Sequence, residues 1–426
     1  MTGTLRRVAI IGGVRIPFCR SNTLYADLSN LDMMAAALNG LVDKYKLKGK
    51  HIDEVVGGAV VTHSKDFNLT REALLSTRLA PSTPGVTLIQ ACGTSLQAAL
   101  GSAAKIATGE IDSAIATGSD TTSDAPIVFS KKFSRRLIEV GQAKTPLDKL
   151  KVFKGLSPGE LAPQPPMVAE PRTGLSMGQH AELMAQQWGI TREAQDELAY
   201  ESHRKGAKAY DTGYMDDLVT PYAGVFRDNN LRPDITLEKL GSLKLAFDKE
   251  SGRGTLTAGN STPMTDGAAS VLLASEEWAK ARGIPVQAYL TFGQHWGNNF
   301  VAGEGLLMAP TVAVSKMLDR AGLKLQDFDF YEIHEAFAAQ VLCTLKAWED
   351  AEYCKKYLGK DAPLGSIDRS KLNVMGSSLA FGHPFAATGA RITANLAKLL
   401  SQNKGRGLIS ICTAGGMGVA AVMESA

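Results

Sequence analysis

Two cysteines and two histidines of this chain sit at strand and helix ends, where nucleophilic chemistry is commonly placed. In "VTLIQACGTSLQAAL" an apolar strand hands over to an alanine-rich helix at Cys92. The free N–H groups and the positive dipole end of a helix start favour an anion, so the joint predicts a lowered thiol pKa. His383 lies in "FGHPFAATGAR". Pro384 is barred from a helix interior but suits a first turn, which predicts His383 at the N-terminal end of a helix. Cys412 follows a strand and precedes "TAGGMG", whose small residues let backbone N–H groups face a ligand. His334, in "YEIHEAFAAQ", ends another strand. A thiol with a nearby imidazole is the pairing that covalent catalysis needs.

The elements that position these groups form an alternating pattern. "LVDKYKLKGKHIDEVV" (41–56) and "MLDRAGLKLQDFDFYE" (317–332) read alike, with Asp43/Asp319, Leu47/Leu323, Lys48/Lys324 and Asp53/Asp329 all offset by 276. Four matches in register predict duplicated halves. After the first copy come a strand at 86–90, Cys92, a helix to about 108 and the strand "SAIATGSD". After the second come "KLNVMG", His383, a helix through "ARITANLAKLL" and the strand "GLISICTAGG". Such alternation predicts an α/β fold, each half a buried sheet covered by helices, the two sheets packed as a pseudo-symmetric pair. Residues 1–128 form the first half, 129–254 an inserted α-rich loop domain, 255–284 the end of the first half and 285–426 the second half. In the insertion, Thr191 is an N-cap ahead of one of two good helices. "GTLTAGNSTPMTDGAASVLLAS" (254–275) reads as a return to strand, loop, helix and strand.

Composition narrows the function. Forty-four per cent hydrophobic and 21% charged residues are ordinary for a globular protein. A net charge of +3, without basic runs interleaved by aromatics, predicts no nucleic-acid partner. No window approaches the roughly 18 uncharged apolar residues of a spanning helix, and the N-terminal residues lack a secretory cleavage pattern. The five cysteines (Cys19, Cys92, Cys343, Cys354, Cys412) are scattered. A cytoplasmic protein with reduced thiols is expected. "HEAFA" lacks the second histidine of HExxH, so no ligand cluster and no metal are expected, and no motif supports ATP or a nicotinamide cofactor.

With these motifs in hand the chain closely resembles the thiolases, and among them the thiolase subunits of β-oxidation trifunctional complexes. The resemblance runs through "VRIPF", "QACGTS", "GLSMG", "LKLAFDKESGRGTLTAGNSTPMTDGAA", "HEAFAAQ", "GHPFAATGAR" and "CTAGGMG". It implies the thiolase fold, layered αβαβα, and a degradative 3-ketoacyl-CoA thiolase. By that resemblance His383 removes the proton of Cys92, the thiolate attacks the 3-keto carbon, and acyl-Cys92 forms with the enolate of acetyl-CoA. Cys412 protonates the enolate, and a second CoA takes the acyl group. His334 and His383 would hold the enolate oxygen, and the amides of Cys92 and Ala414 the tetrahedral oxyanion. Most members have asparagine at His334 and glycine at Ala414, and histidine is common at Ser176. Gly93 to Ser95 read as room for the thioester to reach the helix amides. Arg232 matches a contact to the CoA nucleotide, and Ser176, Met177, Thr262 and Phe337 match pantetheine contacts. CoA is thus a substrate, with no permanently bound cofactor.

The resemblance also implies a homodimer or homotetramer and a possible hydratase/dehydrogenase α-subunit as partner. The basic stretch 131–154, otherwise read as a solvated face, then reads as a partner or peripheral membrane contact. Rival readings are a biosynthetic acetyl-CoA acetyltransferase, a carrier-protein-dependent ketoacyl synthase, and an inactive thiolase-like scaffold or lipid carrier. The four retained reactive groups and the second cysteine speak against the last two.

Overall fold

The 276-residue offset is visible in individual backbone hydrogen bonds of the computed structural model, which describes residues 5–426. Helix α1 (Asn30–Lys44) ends with Leu47 N–H bonded to Val42 O, and α8 (Ala309–Ala321) ends with Leu323 N–H bonded to Leu318 O. In both, the residue before that leucine pair's link, Lys46 or Gly322, is left-handed, as a helix C-terminus requires. Asp53 then accepts from the amides of Asp112 and Ser113 at the start of one strand. Asp329 accepts from the Arg406 amide at the start of the matching strand. The repeated residues are thus those that stop a helix and pin the next strand.

The first half supplies β1 (Val8–Arg15), β2 (Glu54–Gly58), β3 (Gly85–Thr87), β4 (Ser113–Asp120) and β5 (Thr265–Ser275). The second supplies β6 (Ala288–Gly297), β7 (Phe330–Ile333), β8 (Arg406–Thr413) and β9 (Met417–Ser425). Their order is β3-β2-β4-β5-β1-β6-β9-β8-β7, so β1/β5/β4/β2 repeats as β6/β9/β8/β7. "KLNVMG" stands where β3 stands but makes only one bridge, Leu372 to Tyr331. The segment 254–275 departs from expectation: it holds a loop and one eleven-residue strand, β5, with no helix between. The small residues of "TDGAASVLLAS" let this strand run between β4 and β1, buried along its whole length.

The half-sheets do not pack on each other directly. Helices α3 (Thr94–Thr108) and α10 (Thr388–Gln402) lie between them, sharing one core with Val8, Ile10, Ala116, Ile411 and Val419 from both sheets. On the outer faces, α1 and α2 (Leu69–Leu75) cover one sheet, and α8 and α9 (Ala338–Glu349) cover the other. This is the αβαβα layering. The half-sheets also join at one edge, through Ala9↔Tyr289 and Ile10↔Ala288. Strands covered on both faces explain apolar runs without alternation. At the centre the two helices touch closely: a Cβ on Gly389 would lie 2.4 Å from Leu96 N.

Between β4 and β5 the chain leaves the sheet and forms α4 (Lys131–Gln142), α5 (Pro146–Lys151), α6 (Met177–Trp188) and α7 (Arg192–Asp211). Thr191 caps α7 by accepting from the Ala194 amide.

Candidate active site

Cys92 reaches the centre of the molecule through a sharp turn. Ala91, with φ of 45°, adopts a conformation uncommon for a residue with a side chain. This turns the chain between the strand and α3, and Gly93 caps the helix. Thr94 locks the turn, its hydroxyl accepting from Gln90 N–H and donating to Ala91 O. The small residues after Cys92 are not open space for a thioester. Thr94 and Ser95 are fully buried, and Ser95 Oγ donates to Ala386 O and accepts from the Ala390 amide. A side chain at Gly93 would strike Val419 and Thr413. These residues are small because the two halves meet there.

His383 approaches from the second half. It does not occupy the first turn of its helix: Pro384 has a non-helical ψ of 83°, a 3-10 turn spans Phe385–Ala387, and α10 begins only at Thr388. The proline shapes a loop, and the helix starts four residues later. That loop is clamped. Asp120, at the end of β4, accepts from the amides of Ala386, Val60 and Val61. Thr265 accepts from the His383 amide. His383 Nε2 then lies 3.1 Å from Cys92 Sγ, and its Nδ1 lies 2.6 Å from Thr388 Oγ1.

His334 follows β7 directly and is fully buried. Its Nε2 is 3.2 Å from His383 Nε2, and its Nδ1 is 2.9 Å from Ser378 Oγ. Arg391, one α-helical turn into α10, donates to the same Ser378 oxygen at 2.7 Å. A hydroxyl that accepts from Arg391 can spend its own proton on Nδ1 of His334. The His334 proton then sits on Nε2, and His383 Nε2 is left as the acceptor for both His334 and the Cys92 thiol. Glu335 braces the same loop, accepting from Ser202 and from the Leu379 amide while Asn373 donates to its other oxygen. Ser378, Arg391, Thr388 and Asp120 carry no signal in a single sequence. Only Arg391 and Thr388, inside "GHPFAATGAR", lie in a motif at all.

Cys412 is the penultimate residue of β8 and so lies within the strand. It is fully buried, and a charge on Cys92 would raise its pKa further. The turn after it, through Gly415 and Gly416 in left-handed conformations, aims the Ala414 amide at Cys92. Glu170 fixes this turn by accepting from the Gly415 amide.

Electrostatics correct the expectation of a thiolate. The amides of Ala414 and Cys92 do pull the thiol pKa down, but burial dominates and pushes it up to about 12. Burial and the Arg391 charge lower His383 to about 3, and burial takes His334 well below its usual range. The resting pair is therefore a neutral thiol facing a neutral imidazole. Cys412 is likewise held far above the ordinary thiol range by burial. The helix start supplies favourable amides, yet its contribution is smaller than the cost of desolvating a sulfur anion.

The expected substrate contacts are spread over two regions. Phe337 and Met177 share an apolar cluster with Cys412, and Phe247 packs edge-on against Phe337. Thr262 donates through both its amide and its hydroxyl to Ala336 O. Ser176 caps α6 in a reciprocal pair with Gln179, so its hydroxyl already has a structural use. Arg232 lines a separate cavity of about 390 Å³ with Arg20, His203, Asn230, Lys239 and Ser261. One grouping ran against expectation. Cys92, His334 and His383, which the resemblance places in one site, present ligand atoms all within 4.8 Å of one another, although no metal-ligand cluster was expected from the sequence.

The family model "Thiolase, N-terminal domain" matches residues 8–277, and "Thiolase, C-terminal domain" matches residues 289–425. A 3-ketoacyl-CoA thiolase of Shewanella sp. (strain W3-18-1) is 40% identical, covering 98% of this chain and 97% of its own. One from Pectobacterium carotovorum is 41% identical, covering 98% and 96%. Among solved structures, the Bacillus anthracis acetyl-CoA acetyltransferase superposes with a TM-score of 0.81 at 30% identity over the full length of both chains. Human mitochondrial 3-ketoacyl-CoA thiolase does so with a TM-score of 0.81 at 27% identity, again over both full lengths. Two family models end to end, and full-length relatives at this identity, match the fold and motifs already described: the chain belongs to the thiolase family.

Proposed function

We propose that this chain is a degradative 3-ketoacyl-CoA thiolase of fatty-acid β-oxidation. The observation that carries the reading is the pairing of Cys92 Sγ with His383 Nε2 at 3.1 Å. A second buried thiol, Cys412, on which the charge of Cys92 acts, supports the same reading. His383 Nε2 takes the thiol proton as Sγ bonds to the 3-keto carbon, which avoids a free buried thiolate. The amides of Cys92 and Ala414 receive the tetrahedral oxyanion. As the carbon–carbon bond breaks, His334 Nε2–H and the protonated His383 hold the enolate oxygen, and Cys412 delivers a proton to carbon. A second CoA then removes the acyl group from Cys92. Replacing Cys92 by alanine should abolish thiolysis, and undiminished turnover would refute the mechanism. Activity across substrates of four to sixteen carbons separates this reading from the acetyltransferase, which would act on the four-carbon substrate alone.

The inserted unit, residues 129–254, is our candidate for holding CoA. Arg232 and Arg20 bring positive charge to the 390 Å³ cavity, where Lys239 is paired with Asp234, and this supports a place for the nucleotide phosphates. Met177, Phe337 and Thr262, with Ser176 next to Met177, are our candidates for contacts to the pantetheine arm. For partners, the parallel edge at β3 leaves Val86 and Ile89 exposed beside Phe67, which supports edge-to-edge pairing with a second copy. Helices α4 and α5 bury no residue and expose Leu137, Ile138, Leu147 and Leu150 among lysines and arginines. That face supports contact between 131–154 and an α-subunit or a lipid surface. No helix among the described residues is long and apolar enough to cross a membrane.

A further inference from the structure

We propose that Cys92, His334 and His383 form a three-ligand site for a thiophilic, redox-inert divalent cation, Zn²⁺ by its chemistry, whose binding reversibly blocks the nucleophile. The three ligand atoms lie within 4.8 Å of one another. Zn–N bonds of about 2.05 Å at a tetrahedral angle put two nitrogens roughly 3.3 Å apart. His334 Nε2 and His383 Nε2 are 3.2 Å apart. The same geometry needs roughly 3.6 Å between nitrogen and sulfur, so the 3.1 Å contact of Cys92 with His383 opens by about half an ångström. A turn of the cysteine side chain supplies that.

The surroundings suit metal ligation as well as the pair itself. Each Nδ1 faces a hydroxyl, Ser378 for His334 and Thr388 for His383. His383 already carries its proton on Nδ1 toward Thr388; His334 must move its proton from Nε2 to Nδ1, with the Ser378 oxygen then accepting from both that N–H and Arg391, so that both Nε2 lone pairs face the metal. This is the outer-shell arrangement that orients metal-bound histidines. Binding breaks the Sγ–H bond of Cys92 and forms an Sγ–Zn bond from the sulfur lone pair. The one proton released goes to solvent, and no electron is transferred. Two imidazoles and one thiolate suit a borderline-soft tetrahedral ion, with the fourth position left for water. Arg391 sits behind Ser378; the thiolate offsets one of the two charges on the metal, and a hydroxide in the fourth position would offset the other. Cys412 falls outside the group of mutually close ligands and is not assigned to it.

Metal uptake stands on this geometry alone. Only the inhibition rests on the thiolase reading, so direct binding distinguishes failure of one from failure of the other. The full-length chain, freed of metal, is titrated with Zn²⁺, and with Co²⁺ as a spectroscopic reporter. The expected result is one cation per chain, a thiolate-to-cobalt charge-transfer band, release of one proton, and recovery on adding EDTA. Zn²⁺ should also slow alkylation of Cys92 by iodoacetamide, read by mass spectrometry, and inhibit thiolysis in step with uptake. Cys92→Ser should lose the band. His334→Asn should weaken binding by more than the roughly 10–100-fold cost of losing an outer-shell partner. Cys412→Ser should keep it. Affinity unchanged in both Cys92→Ser and His334→Asn, or loss of binding in Cys412→Ser, would overturn the assignment. If His334→Asn does not fold, alkylation of the unaltered protein decides: Cys92 unprotected by saturating Zn²⁺ refutes the site.

Discussion

Adding one methyl group at Gly118 should disable the base without touching it. A Cβ there would lie 2.0 Å from Ala386 O, 2.4 Å from its carbon and 2.9 Å from Ala387 N. Ordinary contact begins near 3.4 Å, so the 384–387 turn must retreat by about 1.4 Å or β4 must bend. The strand cannot easily yield, since Gly118 is paired with Gly58 on one side and Ala269 on the other. The turn carries the strain, and it begins one residue after His383. Displacing a reacting group by about 1 Å costs on the order of 100-fold in rate. Gly118→Ala should therefore lower kcat for thiolysis about 100-fold while KM for CoA changes little, because the cavity proposed above for CoA, at Arg232, is lined by other residues. Overpacking of this kind costs roughly 1–3 kcal/mol, which should leave a folded protein that melts a few degrees lower. Steady-state thiolysis with thermal unfolding of the same sample measures both. A folded variant with unchanged kcat would show that the position of this turn does not set the geometry of the base, and would refute the reasoning.

Two further outcomes follow from the burial of the site. With Cys92 raised to about 12 and His383 lowered to about 3, the free enzyme holds a neutral pair. Only the thiolate reacts with iodoacetamide, so alkylation of Cys92 should climb about tenfold per pH unit from pH 6 to 9; a plateau below pH 7 would instead reveal a thiolate–imidazolium pair. Asp120→Asn must turn an NH₂ toward one of the three amides the carboxylate now accepts from, at Val60, Val61 or Ala386. Leaving such a buried donor unmatched costs about 1–3 kcal/mol, so urea unfolding should shift by that amount and kcat should fall as the His383 loop loosens. A variant with native stability and native turnover would contradict the clamp.

The sequence by itself determined which atoms are available and the α/β fold class that carries them. Residue types at Cys92, His334, His383 and Cys412 name the chemistry. The 276-residue offset announces two copies of one fold because helix stops and strand-pinning aspartates are local devices, read from a few neighbouring residues. Thr191 and the alanines of α3 are legible for the same reason: caps and helix faces depend on near neighbours. Only the tertiary structure decided what those atoms do. Cys92 and His383 are 291 residues apart, and their contact arises where α3 and α10 cross between two sheets. Desolvation at that crossing, which no local pattern encodes, makes the resting thiol neutral where a helix start alone argued for an anion. The same crossing fills the space that Gly93 to Ser95 seemed to offer a substrate. It also recruits Ser378, Arg391, Thr388 and Asp120, ordinary residues whose importance comes entirely from the buried polar atoms they face.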